Sequence, residues 1–120
     1  MDAARQGFSR EYRLTRPEEY RHVSRRARRL SSECFTVLLR ENRLGRPRLG
    51  MAIARKHVRS AVRRNCVKRI IREGFRCRRE RLGAYDMVFI SRPTLARKNK
   101  QELHAIVDRV FKEIERCAAS

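Results

Sequence analysis

Ser60-Ala61-Val62-Arg63-Arg64-Asn65-Cys66-Val67-Lys68-Arg69-Ile70-Ile71-Arg72-Glu73-Gly74-Phe75-Arg76 is the stretch on which the fold turns. With Ser60 as a helix cap and about 100° of turn per residue, Val62, Cys66, Val67, Ile70 and Ile71 share one half of the circumference. Arg64, Asn65, Lys68, Arg69, Arg72 and Arg76 share most of the other half. One side can pack on a sheet while the other presents five cations and an amide. Arg64, Lys68 and Arg72 stand four apart, so their like charges oppose an isolated helix by about 0.2–0.5 kcal/mol per pair. Glu73 offsets only part of this. An ordinary solvated face mixes acids with bases, and this one holds a single acid, so it reads as a surface for anions. Asn65 stays open between two readings: an amide that addresses a phosphate or a 2′-hydroxyl, and a residue merely tolerated in the first turn.

Toward the N-terminus, Thr15 followed by Glu18 forms a capping box with Pro17 inside the first turn. It predicts a short helix over 16–24 with Tyr20 and Val23 on one side. Residues 25–29 carry four arginines and fit either a helix end or a loop. Residues 34–40 alternate Phe35, Val37 and Leu39 against Thr36 and Leu38, which predicts a strand. Gly45 and Pro47 mark a basic turn, and residues 49–54 form a second strand, expected to pair with the first as an antiparallel hairpin. A third strand within 31–40, from an interruption of the first, is left open.

Toward the C-terminus, Gly83 ends the arginine helix, residues 85–91 form a buried strand, and Pro93 stops it. Asn99 caps a last helix with Glu102 at its third position, and Leu103, Ile106, Val107, Val110, Phe111 and Ile114 give it a 3.6-residue stripe. No repeat and no Gly-, Ser- or Pro-rich linker divides the chain. The expectation is one α+β domain over residues 8–117, first anchored by Phe8 and Leu14. A flexible tail of residues 1–7 and a C-terminal tail of residues 118–120 would flank it.

Lys and Arg total 32 against 13 Asp and Glu, a net charge of +19. A folded surface this positive repels itself, and a phosphate backbone is the usual compensation. An anionic membrane would favour one basic amphipathic helix, whereas here the positive charge is spread over nearly every segment. With no secretory signal at its start and no apolar run approaching about 18 residues, the chain reads as cytosolic. Cys34, Cys66, Cys77 and Cys117 contain no Cys-x-x-Cys pair and no nearby His, and read as reduced structural thiols rather than redox or metal groups. The acids are dispersed, and His22, His57 and His104 lie in three separate segments. The chain therefore shows no catalytic residues of its own and no metal site.

The string from Ala61 to Arg76 resembles the signature of the bacterial ribonuclease P protein family, in which an Arg-Asn-Arg core is followed by Lys-Arg, then Arg-Glu and Phe-Arg. The resemblance extends outward through Arg13-Leu14, Tyr20 and Val23, through Arg48-Leu49-Gly50 and Ala54-Arg55-Lys56, and through Tyr85-Asp86 to Arg92. It covers residues 8 to 111 in order. Two departures stand out: Cys66 replaces the second arginine of the core, and Ser24 stands where an aromatic is common.

The resemblance implies the order α-β-β-β-α-β-α with a left-handed crossover, similar to the second domain of a small-subunit ribosomal protein. It implies that the chain is the accessory subunit of an endoribonuclease that removes the 5′ leader of precursor tRNA. The partners would be the catalytic RNA, which holds Mg²⁺ and performs the cleavage, and precursor tRNA, with no membrane and no obligate protein partner. Arg55, Lys56, Arg64, Asn65, Lys68, Arg69, Arg72 and Arg76 would bind the catalytic RNA. Arg13, Arg16, Tyr20 and Phe35 would hold the single-stranded leader, Tyr20 and Phe35 as stacking platforms. For Phe35 the alternative is a plain core residue. A ribosomal scaffold protein and a DNA-compacting protein are the competing classes.

Overall fold

Asp86 and Arg48 face each other directly on two neighbouring parallel strands, and the fold is most easily followed from them. In the computed structural model, which describes residues 10–25 and 27–119 apart from the side chains of residues 10 and 24, three helices enclose a four-stranded sheet. The chain runs α1 (Pro17–Arg25), β1 (Arg28–Ser31), β2 (Phe35–Glu41), β3 (Arg48–Ala52), α2 (Ala61–Arg78), β4 (Tyr85–Ser91) and α3 (Lys100–Ala119), with 3₁₀ turns at Arg10–Tyr12, Arg79–Arg81 and Pro93–Arg97. The order α-β-β-β-α-β-α is the expected one. The expected tail at residues 1–7, the anchor at Phe8 and the end at Ser120 lie outside the described residues, as does the side chain at the departure Ser24.

The sheet order is β1-β2-β4-β3. The expected hairpin between residues 34–40 and 49–54 does not form. Instead β4 lies between β2 and β3, antiparallel to the first and parallel to the second, and α2 makes the crossover. The reason is burial. β4 is the most apolar strand, buried at Asp86, Met87, Val88 and Phe89 in succession, and only a central position covers both of its faces. The arginine-rich run also resolves differently from its two readings: Arg25 ends α1, and Arg28 and Arg29 open β1, an additional edge strand ahead of the one anticipated. At the other end α3 continues through Ala118 to Ala119, so the expected tail from 118 is still helix.

Side chains alternate across the strands, which gives the sheet two distinct faces. Phe35, Val37, Leu39, Leu49, Met87 and Phe89 turn toward α2 and α3 and join Val67, Ile71, Phe75, Ile106, Phe111 and Ile114 in the main core. Leu38 and Val88 turn the other way, against Val23, Leu14 and Tyr20 below α1. The two helices on the main face meet closely at Gly74, where a Cβ would lie 2.8 Å from the Phe111 ring. Both outer helices carry a capping acid at their third residue. Asn99 and Glu102 exchange backbone-to-side-chain bonds of 2.8 and 2.9 Å at the start of α3. At α1 the capping acid is Glu19 rather than Glu18. The helix begins at Pro17, which makes Glu19 its third residue, and its Oε1 accepts from the Thr15 and Arg16 amides at 2.9 and 3.0 Å.

Glu19 also links α1 to the sheet. Its second oxygen accepts from Arg48 at 2.9 Å, while Arg48 gives Asp86 two parallel bonds of 2.9 Å. Asn42 adds a fourth bond to this cluster, donating to Asp86 at 2.8 Å. Bonds from the Arg16 amide, then from Thr15, and the Arg48 charge hold the Glu19 carboxyl below its ordinary value, against partial burial. The Asp86 carboxylate accepting from it holds Arg48 above its own ordinary value. Because Asp86 is 1% exposed, removing it would leave Arg48 without its main partner in a half-buried position. Asp86→Ala is expected to destabilise the fold by about 3 kcal/mol, read as a lowered urea midpoint. Replacing Arg48 and Asp86 together by Met and Leu should cost clearly less; an equal loss would show that the ion pair is incidental.

Candidate RNA interface

Ser60 caps α2 as the sequence requires, its side chain accepting from the Arg63 amide at 3.2 Å. The helix then buries Val67, Ile70, Ile71 and Phe75. Cys66 lies half-buried at the edge of this face, packed against the core, in keeping with its expected side. Val62 does not follow the expectation: it is 81% exposed. The buried stripe is centred on Val67 and Ile71, which lie about 140° and 180° around the helix from Val62, so its apolar side chain belongs to the outer face.

The expected cations divide into two groups. Asn65, Arg69, Arg72 and Arg76 are exposed along the outer crest of α2, and Arg55 and Lys56 are exposed in the turn after β3. Arg76 is partly spoken for by an ion pair with Glu73. Arg64 and Lys68 are half-buried toward the sheet edge. Arg64 donates to the carbonyls of Val58 and Arg59 at 2.9 Å each, so it clamps the loop that enters α2 as well as adding charge. Arg63, beside it, reaches across to the carbonyls of Lys98 and Leu95 and serves the fold.

The leader residues separate as well. At the outer edge of β3 a cavity of about 190 Å³ is lined by Arg13, Leu14, Tyr20, Leu49, Gly50, Met51, Lys68 and Arg72. It brings α1 and α2, which lie on opposite faces of the sheet, into reach of one opening. Arg13 is held there by a parallel bridge to Leu49, and Leu14 donates to the Leu49 carbonyl at 3.0 Å. Tyr20 packs directly on the strand, since a Cβ at Gly50 would stand 2.8 Å from its ring. Arg16 is exposed at the start of α1. Phe35 is not part of this site. It is fully buried on the α2/α3 face, edge-on to Phe89 at 5.6 Å, because it shares its side of β2 with Val37 and Leu39. The α1 side of the same region offers Thr36 and Ile90 instead, both half-buried and paired across the strands.

Sequence reasoning missed Gly50 and Met51. For Gly50 there was a usable signal, because a glycine inside a strand often marks a close approach. The remaining surface differs in kind. α2 carries seven bases and one acid, whereas α3 carries four of each and ties several together, as in Lys112 with Asp108 and Arg116 with Glu113. α2 is therefore the most cationic of the three helices. Among the described residues no group of three His, Cys, Asp or Glu side chains is placed to hold a metal ion, and no helix is long and apolar enough to cross a membrane. Burial pushes the Cys34 thiol above its ordinary value, which makes it a poor nucleophile.

A one-domain α+β fold with a cation-lined helix and an aromatic cleft at a sheet edge defines a small RNA-binding protein. Comparison with known proteins narrows the class. The Ribonuclease P family model matches residues 8–115. The ribonuclease P protein component of Aliivibrio fischeri is 40% identical over 91% of this chain and 93% of its own length. That of Nitrosococcus oceani is 44% identical over 86% and 87%. The solved RNase P protein from Thermotoga maritima is 30% identical, superposes with a TM-score of 0.71, and covers 84% of this chain and 96% of its own. The chain belongs to the ribonuclease P protein family, the protein side of an endoribonuclease ribonucleoprotein that processes tRNA.

The division among the cations has a measurable consequence. Arg69→Ala should weaken RNA binding and reduce the log–log salt slope by about 0.7–0.9 while leaving the melting temperature unchanged. Arg64→Ala should lower both affinity and stability, the latter by about 1–2 kcal/mol, because two carbonyls lose their donor. Thermal melts paired with binding at several salt concentrations read both. Equal melting temperatures for the two variants would show that the Arg64 clamp is not structural.

Proposed function

We propose that the outer crest of α2 seats the chain on the catalytic RNA of ribonuclease P, and that the cleft at the β3 edge receives the 5′ leader of precursor tRNA. The observation that carries this reading is the meeting of Arg13, Tyr20, Lys68 and Arg72 around one cavity over Gly50. An unpaired nucleotide needs an aromatic surface for its base and cations for its phosphates, and this opening supplies both. Thr36 and Ile90 continue the path across the sheet with side chains that neither repel a backbone nor read a base, which suits leaders of varied sequence. Asn65, Arg69, Arg72, Arg55 and Lys56 form the second contact surface, turned toward the catalytic RNA.

The cleavage itself belongs to the RNA in this reading. Mg²⁺ held by that RNA supplies the activated water and the charge neutralisation that phosphodiester hydrolysis requires. The protein contributes binding. By offsetting phosphate repulsion between two RNAs it raises the affinity of the catalytic RNA for its substrate and for the ions between them. Such a complex would work in the cytoplasm, where precursor tRNA is made.

The test separates the two RNAs. With a bacterial ribonuclease P RNA and Mg²⁺ present, Tyr20→Ala should weaken binding of a precursor with a leader by about five- to a hundred-fold, the worth of one stacked base. Binding of mature tRNA should not change. The RNA-free protein should cleave neither. Equal loss for both substrates would place the leader elsewhere, and cleavage by the protein alone would contradict the division of labour.

A further inference from the structure

Val62 is 81% exposed, and Leu44, at 44%, is the only other exposed large apolar side chain among the described residues. A solitary surface valine is ordinary, but the position of this one is not. It stands in the first turn of α2, and that turn contains no acidic residue although the helix dipole favours one there. A β-branched side chain on an exposed helix surface adds a second departure from local preference. Val62 belongs to neither core cluster, so the fold gains no packing in return. Departures of this kind concentrated on one strip of surface mark a place shaped for something outside the chain.

The strip can be drawn. Around α2 Val62 lies about 20° from Arg69 and about 60° from Asn65, and the three residues span about 10 Å along the axis. An apolar tip, an amide and a guanidinium thus form one short crest on the side opposite the core. A helix crest cannot read the deep, narrow major groove of A-form RNA. The wide, shallow minor groove and splayed single strands instead present ribose carbons, base faces and 2′-hydroxyls at the surface. These are the partners that an apolar tip beside an amide would need.

We propose that Val62 is a contact residue of the RNA interface, packing its methyl groups on a ribose or base face while Asn65 and Arg69 address the neighbouring 2′-hydroxyl and phosphate. The inference rests on the reading of α2 as the helix that faces RNA, and adds to it a contact that involves no charge. Salt should therefore leave it untouched, whereas each arginine contact weakens as counterions compete. It also gives Asn65 a purpose: an amide beside a fixed apolar contact has a defined height above the sugar edge.

The experiment uses the full chain and a transcribed bacterial ribonuclease P RNA, with Val62→Ala, Val62→Thr and Arg69→Ala compared by binding across a salt series and by thermal melting. Val62→Ala is expected to weaken binding about five-fold at every salt concentration, as loss of partly buried methyl groups implies. Its log–log slope should run parallel to that of the unaltered chain. Its melting temperature should stay the same or rise, since alanine is the better helix former and no cavity is left. Val62→Thr keeps the branched shape and should also weaken binding. Unchanged affinity in both Val62 variants with weakened Arg69→Ala would overturn this contact and leave the RNA-facing reading of α2 intact. If Arg69→Ala also binds normally, that reading falls and the contact with it. A lower melting temperature or an altered salt slope for Val62→Ala would likewise overturn the proposal, the first by showing a structural role and the second an ionic one.

Discussion

The ion pair between Arg48 and Asp86 is the constraint from which the β3 side of the molecule follows. Its partners sit at the same register of two parallel strands and form two bonds of 2.9 Å where Asp86 is almost wholly shielded from water. Buried pairs of this kind add little net stability, because desolvation consumes most of the attraction. What they do is penalise every other arrangement. A β3 strand slipped by one residue would turn Arg48 to the opposite face of the sheet and leave Asp86 without its cation. The third guanidinium bond goes to Glu19, which carries the pairing from the sheet to α1. Tyr20 is the next residue along that helix, and Gly50 lies two residues beyond Arg48 on the same face of β3. One charge cluster therefore sets both the strand register and the place where the tyrosine ring meets the strand.

From that fixed point the charge distribution becomes intelligible. The chain carries +19 overall, yet α3 is neutral and laced with its own ion pairs, while α2 has seven bases to one acid. α2 carries the largest share of any element, and the two proposed contact surfaces are continuous through Lys68 and Arg72. A helix crest can then hold one RNA while the adjacent cleft admits a strand of another. No catalytic group is needed on the protein for that arrangement to matter. Bringing two polyanions together is itself costly, and neutralised phosphates with released counterions offset the cost.

The sequence made some of this legible and hid the rest for physical reasons. The two long helices announce themselves through their spacing, since Leu103, Ile106, Val107, Val110, Phe111 and Ile114 are all buried as the 3.6-residue stripe requires. Although β1 lay hidden in the arginine-rich run, the positions of β2, β3 and β4 were also visible. Strand order was not, because proximity along the chain favours β2 next to β3, and only the need of β4 for cover on both faces separates them. The place of Phe35 was open for a similar reason: alternation says which residues share a face but not which face lies against α1. At Val62 a projection of apolar residues onto one half of a circle was too coarse. The buried arc is narrower, and it is centred on Val67 and Ile71. Family likeness supplied the element order, while the fine division among Arg63, Arg64 and Arg69 shows only in the folded chain.

The central claim is that the cleft at the β3 edge, framed by α1 and α2, is where single-stranded RNA lies. Zero-length photocrosslinking from a precursor tRNA carrying 4-thiouridine in its leader, bound to the assembled protein and catalytic RNA and mapped by mass spectrometry, tests it most directly. The account predicts adducts on Arg13, Tyr20 and residues 49–51, with Lys68 or Arg72 beside them. Adducts confined to the groove between β1 and α3, where Leu30, Ile106 and Val110 line a cavity of about 440 Å³ on the other side of the sheet, would contradict it.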